Sequence, residues 1–185
     1  DIKDNVNFEI VSIKDIRLED EYGGFRINVK GIYDKIKTNF FIEITTGDII
    51  TPREIEYQYF SIFEDKKINI MAYTIETIIA EKFNSIICRN VTSTRAKDFY
   101  DLYMLMNKQN INEENLVIAI KNTFKNRNTE FNINKFKEII SLIKDSKNLK
   151  NVYFNYQEKL EYTKNVSFDD TINSINKIIA ILEDK

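Results

Sequence analysis

Three charged side chains stand out because they fall beside the apolar stripes of two predicted helices. Lys82 lies four residues after Ile78 and four before Ile86, so it shares a helical face with them. Asp98 and Asp101 lie in the same way beside the apolar stripe of the next predicted helix. A charge on an inward face is costly to bury unless it is paired. A lysine and two carboxylates aimed inward from adjacent helices therefore need a structural or a chemical reason.

The purely structural alternatives involve only local contacts. Lys82 can lay its aliphatic stem along the edge of a core helix and keep its ammonium in water. Asp98 can pair with Arg95, and Asp101 with Lys97, one helical turn apart on the same helix. The residue types and their spacing leave these alternatives open.

A fourth candidate is Glu43, which projects from a predicted strand on the face that also carries Phe41 and Thr45. Such a carboxylate either faces solvent or binds a metal. Asp48, next to Gly47, fits a turn residue whose side chain holds the loop. A metal-dependent nuclease that uses Glu43 and Asp48 is a further hypothesis, but the lysine expected shortly after the strand carboxylate is absent.

The composition excludes several kinds of site. The chain of 185 residues has no histidine, which removes histidine general bases, Ser/His/Asp and Cys/His nucleophiles and histidine metal sites. Carboxylate ligands would favour magnesium or manganese over zinc. The apolar runs are too short to span a bilayer, which takes roughly 20 residues, so we expect no membrane partner. We expect the only cysteine, Cys88, to be a buried, reduced thiol, which indicates the cytoplasm.

Charge is distributed unevenly along the chain. Residues 1–65 carry 8 basic and 14 acidic side chains, whereas residues 108–159 carry 10 basic and 6 acidic ones. This asymmetry suits a metal-holding half and a nucleic-acid-facing half. It equally suits two ordinary solvated surfaces.

The hydrophobic pattern predicts strands first and helices after them, which is an α+β fold. Gly23 and Gly24 end a predicted hairpin turn over residues 19–24, and Ser93 or Thr94 is predicted to cap the helix that carries Asp98. Alternation predicts an antiparallel meander and a later strand at residues 6–18, 25–29, 40–44 and 68–72. Helical spacing predicts helices around residues 75–87, 98–105, 116–124, 136–143, 152–162 and 172–182.

Three segments of the chain carry a family resemblance. They are FIEITTGDIITP, AYTIETIIAEKFNSIICR and STRAKDFYDLYML, in that order. Their order and approximate spacing resemble the AbiEii/AbiGii abortive-infection toxins, a family of nucleotidyltransferase-like proteins. The resemblance covers roughly residues 6–106. It implies a partial nucleotidyltransferase-like sheet, antiparallel or mixed, in a core over residues 1–110, followed by a helical region over residues 111–185.

The resemblance also implies a function and roles for individual residues. It implies a toxin of a type IV toxin-antitoxin system that transfers a nucleotide from an NTP to an acceptor such as tRNA, with magnesium as cofactor and a cognate antitoxin as partner. Lys82 would contact the phosphates and Asp98 would orient the catalytic groups or the substrate. Arg95 and Lys97 would bind substrate, and Glu43 stands where the family has a metal-site aspartate.

One block of the family pattern is missing from this sequence. The Gly-Gly or Gly-Ser turn followed by Asp-x-Asp does not occur, and Gly23-Gly24 stands in a different context. We therefore expect the principal metal ligands to be absent and the chain alone to be an inactive part of a longer enzyme, with the missing block encoded upstream in frame. The alternative is a non-catalytic RNA- or protein-binding module derived from a degenerate nucleotidyltransferase.

Overall fold

The computed structural model describes residues 5–16, 23–62 and 64–185, and it contains antiparallel strands followed by six α-helices within these ranges. This order confirms the predicted α+β class. The chain divides into two compact units, residues 1–48 and 49–185. The domain boundary expected at residue 110 falls inside the second unit. The elements are β1 Asn7–Ile16, β2 Gly24–Tyr33, β3 Ile36–Thr45, β4 Ile55–Phe60, β5 Lys67–Ala72, α1 Ile75–Arg89, α2 Ala96–Lys108, α3 Glu113–Asn126, α4 Ile133–Asp145, α5 Lys147–Lys159 and α6 Phe168–Glu183.

The first unit is the predicted antiparallel meander, with strand order β1-β2-β3. Gly24 opens β2, and a Cβ atom at this position would lie 2.7 Å from the carbonyl oxygen of Ile44. Only glycine therefore allows the strands to approach this closely. The predicted turn at residues 19–22 lies outside the described residues. After β3, Gly47 has a φ of 88°, which agrees with the turn predicted there.

Alternation along the meander separates its two faces. One face carries polar and charged side chains, including the cross-strand neighbours Arg26 and Glu43. The other face is almost wholly apolar and much of it is exposed, which is typical of a contact surface. Its exposed large apolar members are Phe8, Ile10, Ile13, Phe25, Tyr33, Ile36, Phe40, Ile42 and Ile44.

In the second unit, a buried threonine network fixes where α1 begins. Thr74 is the N-cap, as predicted, and its hydroxyl accepts a hydrogen bond from the backbone N–H of Thr77. The Thr74 hydroxyl also donates to the carbonyl of Thr51 at 2.6 Å. In return, the backbone N–H of Thr51 donates to Oγ1 of Thr77 at 2.9 Å. The segment before β4 is thereby joined to the first turn of α1.

The core of the second unit is built on one face of α1. Phe83 is fully buried, and its ring lies 5.8 Å from that of Phe124 on α3 and 5.4 Å from that of Phe136 on α4, centroid to centroid. Ile79 and Ile86 extend this face along the helix, as the spacing predicts. The stripe on α1 therefore has three helices to pack against, since α2 also contacts it.

Two sequence predictions on these helices are wrong. The N-cap of α2 is Arg95 and has no side-chain cap, because the Ser93 hydroxyl accepts instead from the backbone N–H of Arg95 at 3.3 Å. Cys88 is exposed rather than buried, because it lies at the edge of the apolar stripe, next to Ile87. Its thiol lies 3.4 Å from the hydroxyl of Thr129.

None of the helices in the described ranges is long and apolar enough to cross a membrane.

The threonine network gives a stability prediction. Replacing Thr77 by valine keeps its shape but removes the acceptor for the buried N–H of Thr51. We expect the free energy of unfolding to fall by about 1–3 kcal/mol, the cost of an unsatisfied buried donor. Urea denaturation followed by circular dichroism measures it. Thr94→Val, at an exposed threonine of the same unit, is the control, and an equal loss in both variants would contradict the account.

Candidate functional site

The structure brings Lys82 of α1 into contact with both aspartates of α2. The Lys82 ammonium donates to Oδ1 of Asp98 at 3.1 Å and to Oδ2 of Asp101 at 2.7 Å. The other carboxylate oxygen of Asp98, Oδ2, accepts from the Ser85 hydroxyl at 3.4 Å. We call Lys82, Ser85, Asp98 and Asp101 the Lys82 cluster. Its two aspartates lie one helical turn apart, so one ammonium can reach both.

The Lys82 cluster is partly withdrawn from water. The Lys82, Asp98 and Asp101 side chains are 20%, 13% and 23% exposed. Burial lowers the pKa of Lys82, but the hydrogen bond to Asp101 and the negative charges of both aspartates outweigh it, so the net pKa is raised. Lys82 therefore stays charged at neutral pH and holds the two carboxylates in place.

This geometry decides between the structural alternatives. Lys82 does not extend into water, because both of its contacts are to α2. In the described ranges, neither Asp98 with Arg95 nor Asp101 with Lys97 forms an ion pair within α2, since both carboxylates pair with Lys82. The ion pairs thus join α1 to α2 and do not lie within a single helix.

Asp98 also lines a cavity of about 550 Å³ between the start of α2 and the C-terminal half of α5. The two predicted substrate-binding residues, Arg95 and Lys97, lie in the same wall. Lys82 therefore contacts Asp98, and Asp98 lines the cavity together with Arg95 and Lys97. The complete lining is Thr94, Arg95, Ala96, Lys97, Asp98, Val152, Asn155, Tyr156 and Lys159.

Sequence reasoning missed the contribution of α5 to this cavity. Asn155, Tyr156 and Lys159 follow Asp98 by more than fifty residues, and no local pattern links the two segments. Lys159 lies four residues after Asn155 and three after Tyr156, and this helical spacing is the sequence signal that Lys159 shares a face with each of them. The role of Ser85 was also missed, although it lies three residues after Lys82 and so faces the same side.

Glu43 belongs to the first unit, where its carboxylate is paired with Arg26 on the neighbouring strand. The Nε of Arg26 donates to Oε1 of Glu43 at 2.8 Å, and its terminal nitrogen contacts the same oxygen. The guanidinium also lies 4.7 Å from the ring centroid of Phe41. Glu43 lies on the same strand face as Phe41, as predicted, and its charge is balanced by arginine. Its role as a metal ligand stays a prediction.

The described residues do not fit a magnesium site. Among residues 5–16, 23–62 and 64–185, no group of three or more Asp, Glu, Cys or His side chains is arranged to hold a metal ion. Asp98 and Asp101 share the ammonium of Lys82, and Glu43 is bonded to Arg26. A divalent ion at any of these carboxylates would have to displace the lysine or arginine that now contacts it.

The Lys82 cluster predicts a pH-dependent stability effect. Lys82→Met leaves two partly buried carboxylates facing each other without a cation, and we expect a loss of about 1–3 kcal/mol near neutral pH. A raised lysine pKa contributes stability that is fully present below the ordinary value of 10.5 and is lost as pH rises through the raised value. The difference between wild type and Lys82→Met should therefore be constant from neutral pH up to about pH 10 and shrink above it.

Urea denaturation at a series of pH values measures this difference. Lys137→Met on α4, which removes an exposed lysine paired with Glu183, is the control and should cost much less. A Lys82→Met variant as stable as wild type near neutral pH would contradict the assignment.

Nothing matches this chain among curated proteins or among solved structures. One family model matches residues 1–174, and its description is "Nucleotidyl transferase AbiEii toxin, Type IV TA system". This match includes the Lys82 cluster, Arg95, Lys97 and Glu43, and it extends beyond the segments that carry the resemblance in the sequence. The chain belongs to the AbiEii family of nucleotidyltransferase toxins of type IV toxin-antitoxin systems.

Proposed function

We propose that this chain contributes the substrate-positioning part of a nucleotidyltransferase that transfers a nucleotide from an NTP to an RNA acceptor, with tRNA as the acceptor. The family supports an NTP as one substrate and a cognate antitoxin as the partner in the cell. The Lys82 cluster and the adjoining cavity support the assignment of residues. Nucleotidyl transfer depends mainly on positioning and on charge stabilisation, which are the two properties that these residues provide.

The observation that carries the proposal is the double position of Asp98. Its carboxylate is fixed by Lys82 and Ser85 on one side, and it lines a cavity with Arg95 and Lys97 on the other. A carboxylate held in this way can accept a hydrogen bond from a substrate hydroxyl in a defined geometry. Asp98 is therefore proposed as the catalytic carboxylate, and Arg95 and Lys97 as the cations that bind substrate phosphates.

The geometry supports a positioning role for Lys82. Its ammonium already donates to two carboxylates, so direct contact with a phosphate would require one carboxylate to be exchanged for a phosphate oxygen. By holding Asp98 and Asp101, Lys82 fixes the start of α2 relative to α1. Its effect on transfer would act through Asp98, and loss of Lys82 should lower transfer no more than loss of Asp98 does.

A transfer assay tests the proposed function. The full-length protein, including any segment encoded in frame upstream of Asp1, is incubated with each labelled NTP and with tRNA. Incorporation of label into the RNA is measured. We expect incorporation to fall by about a hundredfold or more in Asp98→Asn, since a positioned catalytic carboxylate contributes about that much. Asp169→Asn, which changes an exposed carboxylate in the first turn of α6, is the matched control and should retain wild-type incorporation. Incorporation that survives Asp98→Asn would contradict the role of Asp98.

A non-catalytic binding module is the second candidate function. The observation that favours it is that each carboxylate assigned here is already paired with a lysine or an arginine. The same assay separates the two functions. RNA that binds the protein without nucleotide incorporation from any NTP would favour the binding module, whereas incorporation that depends on Asp98 would exclude it.

A further inference from the structure

The cavity beside the Lys82 cluster has a second wall, on α5, that the proposed roles do not use. This wall carries Asn155, Tyr156 and Lys159 and faces Arg95 and Lys97 across the cavity. A volume of about 550 Å³ lies within the usual range for small-molecule sites, roughly 300–1,000 Å³. The cavity is therefore large enough to admit a nucleotide-sized ligand.

Positive charge dominates the lining. Arg95, Lys97 and Lys159 are all exposed, and within the described ranges none of the three forms an ion pair. Among the described residues, the only carboxylate in the lining is Asp98, which shares the single positive charge of Lys82 with Asp101. Three cations without counter-ions around one cavity attract an anion with several charges.

The wall on α5 adds groups that suit a phosphorylated ligand with a ring. Burial raises the pKa of the Tyr156 hydroxyl, and because the hydroxyl is itself buried, Tyr156 offers a ligand its ring and not its hydroxyl. The Tyr156 ring is held against Tyr100 and Tyr153, at centroid distances of 6.3 and 6.2 Å. The amide of Asn155 supplies both a donor and an acceptor. Cations with a fixed aromatic ring and an amide match the phosphates and the base of a nucleotide.

We propose that α5 completes a nucleotide-phosphate site in which Lys159 binds phosphate together with Arg95 and Lys97, and in which Tyr156 forms the floor. The inference rests on the proposed function for the kind of ligand, because an NTP and an RNA acceptor both carry the required phosphates. It adds a residue from the C-terminal helices to a site otherwise formed by α1 and α2. The helical region would then take part directly in substrate binding.

Equilibrium binding to the intact protein tests the proposal without any transfer reaction. Three probes are titrated separately: inorganic triphosphate, an NTP, and a single-stranded oligoribonucleotide without a terminal phosphate. We expect Lys159→Gln to weaken binding of at least one probe by about five- to twentyfold, the loss of one charge-assisted contact. Lys159→Arg should restore most of it. Lys150→Gln makes the same charge change elsewhere on α5, outside the cavity, and should leave binding within about twofold of wild type.

The probe that responds identifies the source of the phosphate. A loss confined to triphosphate and NTP assigns the cavity to the NTP, and a loss confined to the oligoribonucleotide assigns it to the acceptor. Equal weakening by Lys159→Gln and Lys150→Gln, or no binding of any probe, would overturn the proposal. Selective weakening with no transfer activity would leave the cavity as a binding site while refuting the proposed enzyme. If the wild type transfers nucleotide and Lys159→Gln binds all three probes as tightly as the wild type, the proposed binding site is refuted and the proposed enzyme is not.

Discussion

Lys82 on α1 is partly withdrawn from water, and its charge is stable there because Asp98 and Asp101 on α2 both accept hydrogen bonds from it. The same contact solves the converse problem, since two neighbouring carboxylates on one helix would repel each other without a shared cation. Neither helix can present these charges alone. The arrangement of Asp98 at the wall of the cavity therefore depends on α1 and α2 being held at one spacing.

Apolar packing supplies that spacing. The face of α1 that carries Phe83 packs against α3 and α4, and α2 packs on α6 through its own apolar side. The ring of Phe99, next to Asp98 in the chain, lies 5.6 Å from that of Phe168 on α6. Aromatic contacts of this kind lock rotamers as well as bury area. The C-terminal helices thus serve the site in two ways, by anchoring α2 from behind and by lining the cavity from the side.

The sequence could predict those features of the fold and of the candidate site that depend on residues close together in the chain. Helical spacing placed Lys82, Asp98 and Asp101 beside apolar faces, and alternation placed Glu43 on the same strand face as Phe41, because both patterns repeat within a few residues. Spacing could not decide whether Asp98 would pair with Arg95 or with Lys82, since the second contact depends on how two helices pack. The same holds for Lys159, more than fifty residues away from its cavity partners. The predicted cap of α2 was wrong because Ser93 accepts its hydrogen bond from the backbone N–H of Arg95, which precedes the first residue of the helix. Residue type does not encode this difference of backbone geometry.

The most direct test of the account is the pKa of the Lys82 ammonium, measured by NMR on protein labelled at the lysine side-chain nitrogen. We expect a wild-type pKa above the ordinary value of 10.5, and a lower pKa in Asp101→Asn, where the shorter of the two hydrogen bonds to a charged oxygen is lost. Lys137 on α4, bonded to Glu183 at the surface, gives an internal reference that Asp101→Asn should leave unchanged. A wild-type Lys82 pKa at or below 10.5, or one that does not respond to Asp101→Asn, would contradict the central claim that Lys82 joins the two helices.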